Sequence, residues 1–362
     1  MVCRDAWQLR QLVETLRADD LGGHLAPALA PHLAFYAVEA RAWLHGNGPA
    51  TGVFAALDEH LPSIKATREH LKLSAGRDDL VGLARLLTAC ESRSVAWFHR
   101  PHRGWLGRFK SLWQRDLGLC FLGSDLISTT HVGLANLVPE DLNALESAGE
   151  PFEEVRKASF ARAEAAGRVV GAITTWVPQM AASAAGAPEL TVCAQDLKDV
   201  DCKSVDYYAE VGRRTGLPSS NVPAFVFMAC QVNLAERVLP ALLSRTSDYL
   251  FRMRYLAAYS ALEALRRIGH ELRGELASPV GRVVKSVQAS PSGRGFRKLG
   301  TKLRRDVAHY EIASLTVPSD GPAALSLRGL LDHHAPSVGE IDEQIAAILG
   351  TISTEARLLL QP

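Results

Sequence analysis

Apolar residues recur along most of the chain at the i, i+3, i+4, i+7 spacing of a helix with one buried face. In Ala6–Asp20 this spacing puts Leu9, Leu12, Val13 and Leu16 on one side, and Ala30–Leu44, Val53–Leu61 and Asp79–Arg93 continue the pattern. Period-two alternation is scarce. "LGLCFLGSDLIST" (Leu117–Thr129) is the one stretch that suits a short strand.

A second block opens near Pro139, with Glu140 and Asp141 placed for a first helical turn. Pro151–Val177 predicts one long helix ended by Pro178, and Ser204–Gly216 a short one closed by its glycine. "LPSSNVP" (Leu217–Pro223) is the clearest linker-like punctuation. Four helical segments follow it: Ala224–Ser244, Ser247–Leu272, Gly295–Ala313 and Ser337–Leu360, with a minor helix at Pro279–Val287. The pattern predicts an all-α protein, with a helical region over residues 1–216 and a four-helix bundle over residues 217–362.

Composition narrows the function classes. The chain has 362 residues, 47% of them hydrophobic, enough for a sizeable core, and a formal net charge of +1. Attraction to nucleic acid must therefore come from local patches. The first residues, "MVCRDAWQLR", lack the apolar stretch of a signal peptide. The longest apolar run, Ala165–Ala187, is broken by Arg168, Pro178 and Gln179, short of the about 20 strongly apolar residues that span a bilayer. The expectation is a buried helix there, in a soluble, cytoplasmic protein without membrane contact.

The cysteines, Cys3, Cys90, Cys120, Cys193, Cys202 and Cys230, are scattered without a C-x-x-C pair, so free thiols are expected rather than a zinc site. No G-x-S-x-G, P-loop or G-x-G-x-x-G string occurs, and no cofactor is expected. "LDHH" (Leu331–His334) is similar to a phosphoesterase metal motif but lacks the companion aspartates.

Two stretches carry candidate chemistry. Arg282, Lys285, Arg294, Arg297, Lys298, Lys302, Arg304 and Arg305 follow one another with no Asp or Glu between them. They make either a phosphate-binding surface or a solvated helix face, and "SPSGRG" (Ser290–Gly295) reads as a flexible connection. Arg93–Arg115 interleaves Trp97, Phe98, Trp105, Phe109 and Trp113 with basic residues. Core packing explains the i, i+4, i+8 spacing of Trp105, Phe109 and Trp113, and base stacking on a single strand is the second reading.

Three features of the last third resemble the HEPN superfamily, in its ApeA-like branch. They are the helix "FRMRYLAAYSALEAL" (Phe251–Leu265), the string "KLRRDVAHYE" (Lys302–Glu311) and the long closing amphipathic helix. The resemblance covers Val222 to Leu360. It implies a four-helix bundle, a homodimer with a composite site, and a metal-independent endoribonuclease used in phage defence or toxin-like control and restrained by a partner protein. It makes Arg304 and His309 the catalytic pair. Arg305 stands at the polar position, where the pattern has Asn, Asp or His, and Asp306 lies beside it. Glu263 either pairs with Arg304 or forms a surface salt bridge.

The chemistry of that pair is coherent in itself. Metal-independent RNA cleavage uses the ribose 2′-hydroxyl as internal nucleophile, so proximity is supplied by the substrate. A histidine near its ordinary pKa handles the proton, and a guanidinium matches the phosphate. On a regular helix Arg304 and His309 lie about 140° apart, so a distorted turn or a second subunit would complete the site. The competing readings are an RNA-binding or dimerisation module without catalysis, and a small-molecule enzyme using an interdomain cleft.

Overall fold

The computed structural model describes residues 2–18, 21–47, 115–135, 192–272, 277–299 and 337–362, with positions 167, 168, 170, 171, 174, 303, 307, 327 and 331. Over these residues the protein is mostly helical, as the periodicity predicts, but a three-stranded sheet corrects the all-α expectation.

Helices α1 (Val2–Ala18) and α2 (Gly22–Asn47) pack on each other. The predicted stripe of α1 buries Leu9, Leu12 and Leu16, while Val13 is half-buried. Strands β1 (Leu117–Leu122) and β2 (Asp125–Thr129) form a hairpin whose turn places Gly123 at φ 61°, as two-residue hairpin turns require. Strand β3 (Leu197–Cys202) pairs antiparallel with the other edge of β1, giving the order β2-β1-β3. A short helix, α3 (Thr130–Ala135), follows β2.

The stretch Leu117–Thr129, expected to hold a short strand, holds the β1–β2 hairpin, and its strands lie between two cores. Leu117, Leu119, Phe121 and Leu126 enter one apolar cluster, and Cys120 and Ile127 the other. Strands covered on both faces read as continuous apolar runs. β3 is the opposite case, an edge strand with exposed Lys198, Asp199 and Asp201, charges that blunt a sheet edge.

Helix α4 (Ser204–Thr215) ends at Gly216, φ 74°, as predicted. Helix α5 (Val222–Asn233) is buried along its whole length and runs through a π turn (Leu234–Val238) into α6 (Leu239–Leu242). The π turn precedes Pro240, which has no N–H for the carbonyl one turn back. The run Ser219–Leu242 is long and apolar enough to cross a membrane, and 89% of its apolar window is buried within the protein. Within Ala165–Ala187, positions 167, 168, 170, 171 and 174 are helical and Val170 and Thr174 are buried.

Helix α7 (Asp248–Glu271) is capped by Ser247, and α10 (Val338–Leu360) by a capping box of Ser337 and Glu340. Between them lie α8 (Pro279–Ala289) and α9 (Pro291–Lys298). "SPSGRG" is therefore not a flexible connection: Ser290 caps α9 and Pro291 opens it, a placement in which proline's fixed φ favours the helix.

Helices α5, α7 and α10 pack against one another. They correspond to the first, second and fourth predicted bundle segments; of the third, Gly295–Ala313, the described residues are 295–299, of which 295–298 end α9 rather than open a new helix, with Leu303 and Val307. One apolar cluster joins them to Tyr207, Tyr208 and Val211 of α4, on the other side of "LPSSNVP". The N-terminal pair docks on the start of α7 through the second cluster and a buried polar seam. In that seam Gln8 Oε1 accepts from Ser247 Oγ (2.7 Å) and from the Tyr249 amide (3.2 Å), and Tyr249 Oη donates to the His32 carbonyl (2.9 Å).

Candidate nucleic-acid interface

Helix α8 owes its position to an apolar stripe. Val280, Val283, Val284 and Val287 are buried against neighbouring helices, including α7 and α10, which leaves Arg282 and Lys285 facing solvent. Helix α9 does the same with fewer residues. Phe296 packs on Tyr255 of α7 with ring centroids 4.9 Å apart, and Arg294, Arg297 and Lys298 are exposed. None of these five basic side chains forms an ion pair with a carboxylate among the described residues.

The two helices begin with the same six-residue device. "ASPVGR" (Ala277–Arg282) and "ASPSGR" (Ala289–Arg294) differ at one position. In each, the serine Oγ accepts from the glycine amide, at 3.1 Å for Gly281 and 2.9 Å for Gly293. In each, the arginine amide donates to the serine carbonyl at 3.0 Å. In each, the guanidinium folds back onto the preceding alanine carbonyl, Arg282 Nη1 to Ala277 O at 3.1 Å and Arg294 Nη1 to Ala289 O. Gly293 has no substitute, because a Cβ there would lie 2.1 Å from the Val287 carbonyl. The duplicated cap thus holds two exposed guanidinium groups in equivalent local geometry. It was legible as a repeated string, but a pair of short copies is not a fold-scale repeat of 20–50 residues.

Of the other predicted site residues, Glu263 on α7 forms an ion pair with Arg266 one turn along the same helix (3.1 Å). Lys302, Arg304, Arg305, Asp306 and His309 lie outside the described residues, as do Trp97 to Trp113 and His334. Within "LRRDVAHYEI", Leu303 and Val307 are helical, with Val307 fully buried in the main apolar cluster and Leu303 packed against it.

The structure also brings together polar groups that sequence order keeps apart. His131 on α3 is buried, its Nδ1 2.9 Å from Tyr208 Oη on α4, and burial lowers its pKa to about 4 against a smaller opposing effect of Asp116. Asp116 accepts from the Ser204 amide (2.8 Å) and hydroxyl (2.6 Å). It thereby anchors the start of α4 to the sheet. At the far side of the sheet Asp125 receives Arg357 of α10 (2.8 and 3.1 Å) and Arg237 (3.2 Å). Isolated histidines and aspartates carry no spacing signal, so nothing in the sequence announces these contacts. Burial also raises the thiols, Cys120 to about 12 and Cys202 to about 11, which leaves them protonated and unreactive at neutral pH. Among the described residues no three His, Cys, Asp or Glu side chains converge as metal ligands.

Comparison with protein-family models, with curated proteins and with solved structures gives no match.

Proposed function

We propose that the protein is an RNA-binding, metal-independent endoribonuclease of the HEPN type, and that the α8–α9 corner is where RNA lies. The supporting observation is the duplicated cap with its exposed companions: five cations face solvent without described acidic partners, two of them braced on backbone carbonyls. Phosphate contacts supply most sequence-independent affinity for nucleic acid, and preorganised guanidinium groups lose less freedom on binding. Chain order places the corner directly before Arg304 and His309. In this reading Arg304 steadies the phosphate, His309 moves the proton, and a homodimer completes the site.

The protein acts in the cytoplasm, in defence or toxin-like control, with the region over residues 1–216 as sensor or substrate selector and a regulatory partner holding it in check. The second reading, RNA binding without cleavage, draws on Arg305 at the position where the catalytic pattern has Asn, Asp or His. Incubation of the full chain with labelled single-stranded RNA and tRNA in EDTA separates the two. Cleavage supports the nuclease, binding without cleavage supports the module, and RNA that is neither bound nor cut overturns both.

A further inference from the structure

A cavity of about 20 Å³ lies between α2, α5 and α7, lined by His32, Met228, Gln231, Met253 and Ser260 with aliphatic neighbours. That volume holds one water or one ion. The chain has only four methionines, Met1, Met180, Met228 and Met253, so half of its thioethers meet in this one place. Met228, Met253 and His32 are all buried.

The imidazole sits at odds with its surroundings. His32 Nδ1 lies 3.1 Å from Met253 Sδ. Nε2 is buried and finds no hydrogen-bond partner among the described residues, and neither does Gln231 Oε1. A neutral ring carries one proton. On Nδ1, the proton meets the sulfur but strands Nε2. On Nε2, it finds no acceptor in hydrogen-bonding position and sets the Nδ1 lone pair against a sulfur lone pair. Adding a second proton would serve both nitrogens but leave a charge buried among apolar side chains with no acidic group lining the cavity. A metal cation bound by Nδ1 removes the conflict without that proton.

We propose that this cavity is a site for a soft monovalent cation, Cu(I) or its redox-inert analogue Ag(I), ligated by His32 Nδ1 and the thioethers of Met253 and Met228. Thioether sulfur selects soft ions, and imidazole completes such a set. His32 Nδ1 and Met253 Sδ, 3.1 Å apart, are close enough to share one ion. The remaining ring proton is then on Nε2, available to Gln231 as the supporting contact that metal-bound histidines use. The three ligands come from α2, α5 and α7, so the ion clamps the N-terminal pair onto the core. The proposal is independent of the ribonuclease reading.

The test uses the full chain with [methyl-¹³C]methionine and its accessible thiols alkylated, since thiolates compete for soft ions. On addition of Ag(I), the Met228 and Met253 methyl signals, assigned with Met228→Leu and Met253→Leu, shift while those of Met1 and Met180 stay in place. These swaps conserve volume and keep the fold. Competition against a chromogenic Cu(I) chelator gives an affinity that falls by about 10–100-fold or more in either variant, at least the loss that disturbed supporting groups cause at metal sites. Unmoved Met228 and Met253 signals in folded protein, or an affinity unchanged in both variants, overturn the proposal.

Discussion

Asp5 and Arg252 form an ion pair 3.3 Å long in which both side chains are fully buried, joining α1 to α7 across 247 positions of sequence. It is the charged centre of the seam that docks the N-terminal pair, with Gln8 on Ser247 and Tyr249 to one side and Arg4 near Asp248 (3.8 Å) to the other. Removing one partner of a buried pair strands a charge, whereas removing both need not. Arg252→Met is therefore expected to lower the unfolding free energy by about 3–5 kcal/mol. The double variant Asp5→Leu/Arg252→Met loses less than the single one, as urea denaturation would register.

The two glycines with positive φ separate backbone strain from crowding. Gly123 (φ 61°) has nothing within 4 Å of a Cβ position, while at Gly216 (φ 74°) that position lies 2.9 Å from Ser278 Cβ. Gly123→Ala should cost about 1–2 kcal/mol, the left-handed penalty alone. Gly216→Ala adds a clash between the end of α4 and the cap of α8, so its melting temperature falls further.

The basic corner predicts a salt dependence. Each phosphate contact to a single strand contributes about 0.7 to the slope of log affinity against log salt. Lys285→Gln, Arg297→Gln and Lys298→Gln combined should lower the slope by about 2 if all three touch phosphate. Exposed side chains of this kind alter stability by only about 0.5 kcal/mol each. RNA binding at several salt concentrations, beside a thermal melt, checks both statements.

His32 and His131 make stability acid-sensitive. Their folded pKa values near 4 lie below the ordinary 6.5, so between those values the unfolded chain binds protons that the folded one refuses. Stability is full above pH 6.5 and declines as pH falls toward 4, by up to about 3 kcal/mol for each histidine. Replacing His131 with Gln, which keeps a partner for Tyr208, should flatten that decline in denaturation curves recorded from pH 7 to pH 4.

How much of this was legible depends on whether a residue's role is periodic. The stripe of α1, Gly216 at the end of α4 and the segments opening at Ser247 and Ser337 follow from spacing and local chemistry, and the structure has α1, α4, α7 and α10 where the pattern puts them. The π turn before Pro240 and the strand β3 do not, since one depends on a single missing N–H and the other on pairing with β1. In the candidate interface, the charges of Arg282, Lys285, Arg294, Arg297 and Lys298 were readable. Their bracing was not, because "SPSGRG" looks mobile until Ser290 is seen to cap a helix. The contacts of His32, His131 and Asp116 come from tertiary packing alone.

The proposed cleavage of RNA by Arg304 and His309 is decided by comparing wild-type protein with Arg304→Ala and His309→Ala in EDTA. Wild type is expected to give products ending in a 2′,3′-cyclic phosphate, and His309→Ala to lose about 10²–10⁴-fold in rate, the usual worth of a positioned proton-transfer group. Arg304→Ala should be similarly impaired, with melting temperatures showing that both variants are folded. Absence of cleavage by any form across tRNA, mRNA and single-stranded substrates would contradict it, as would cleavage that persists in both variants.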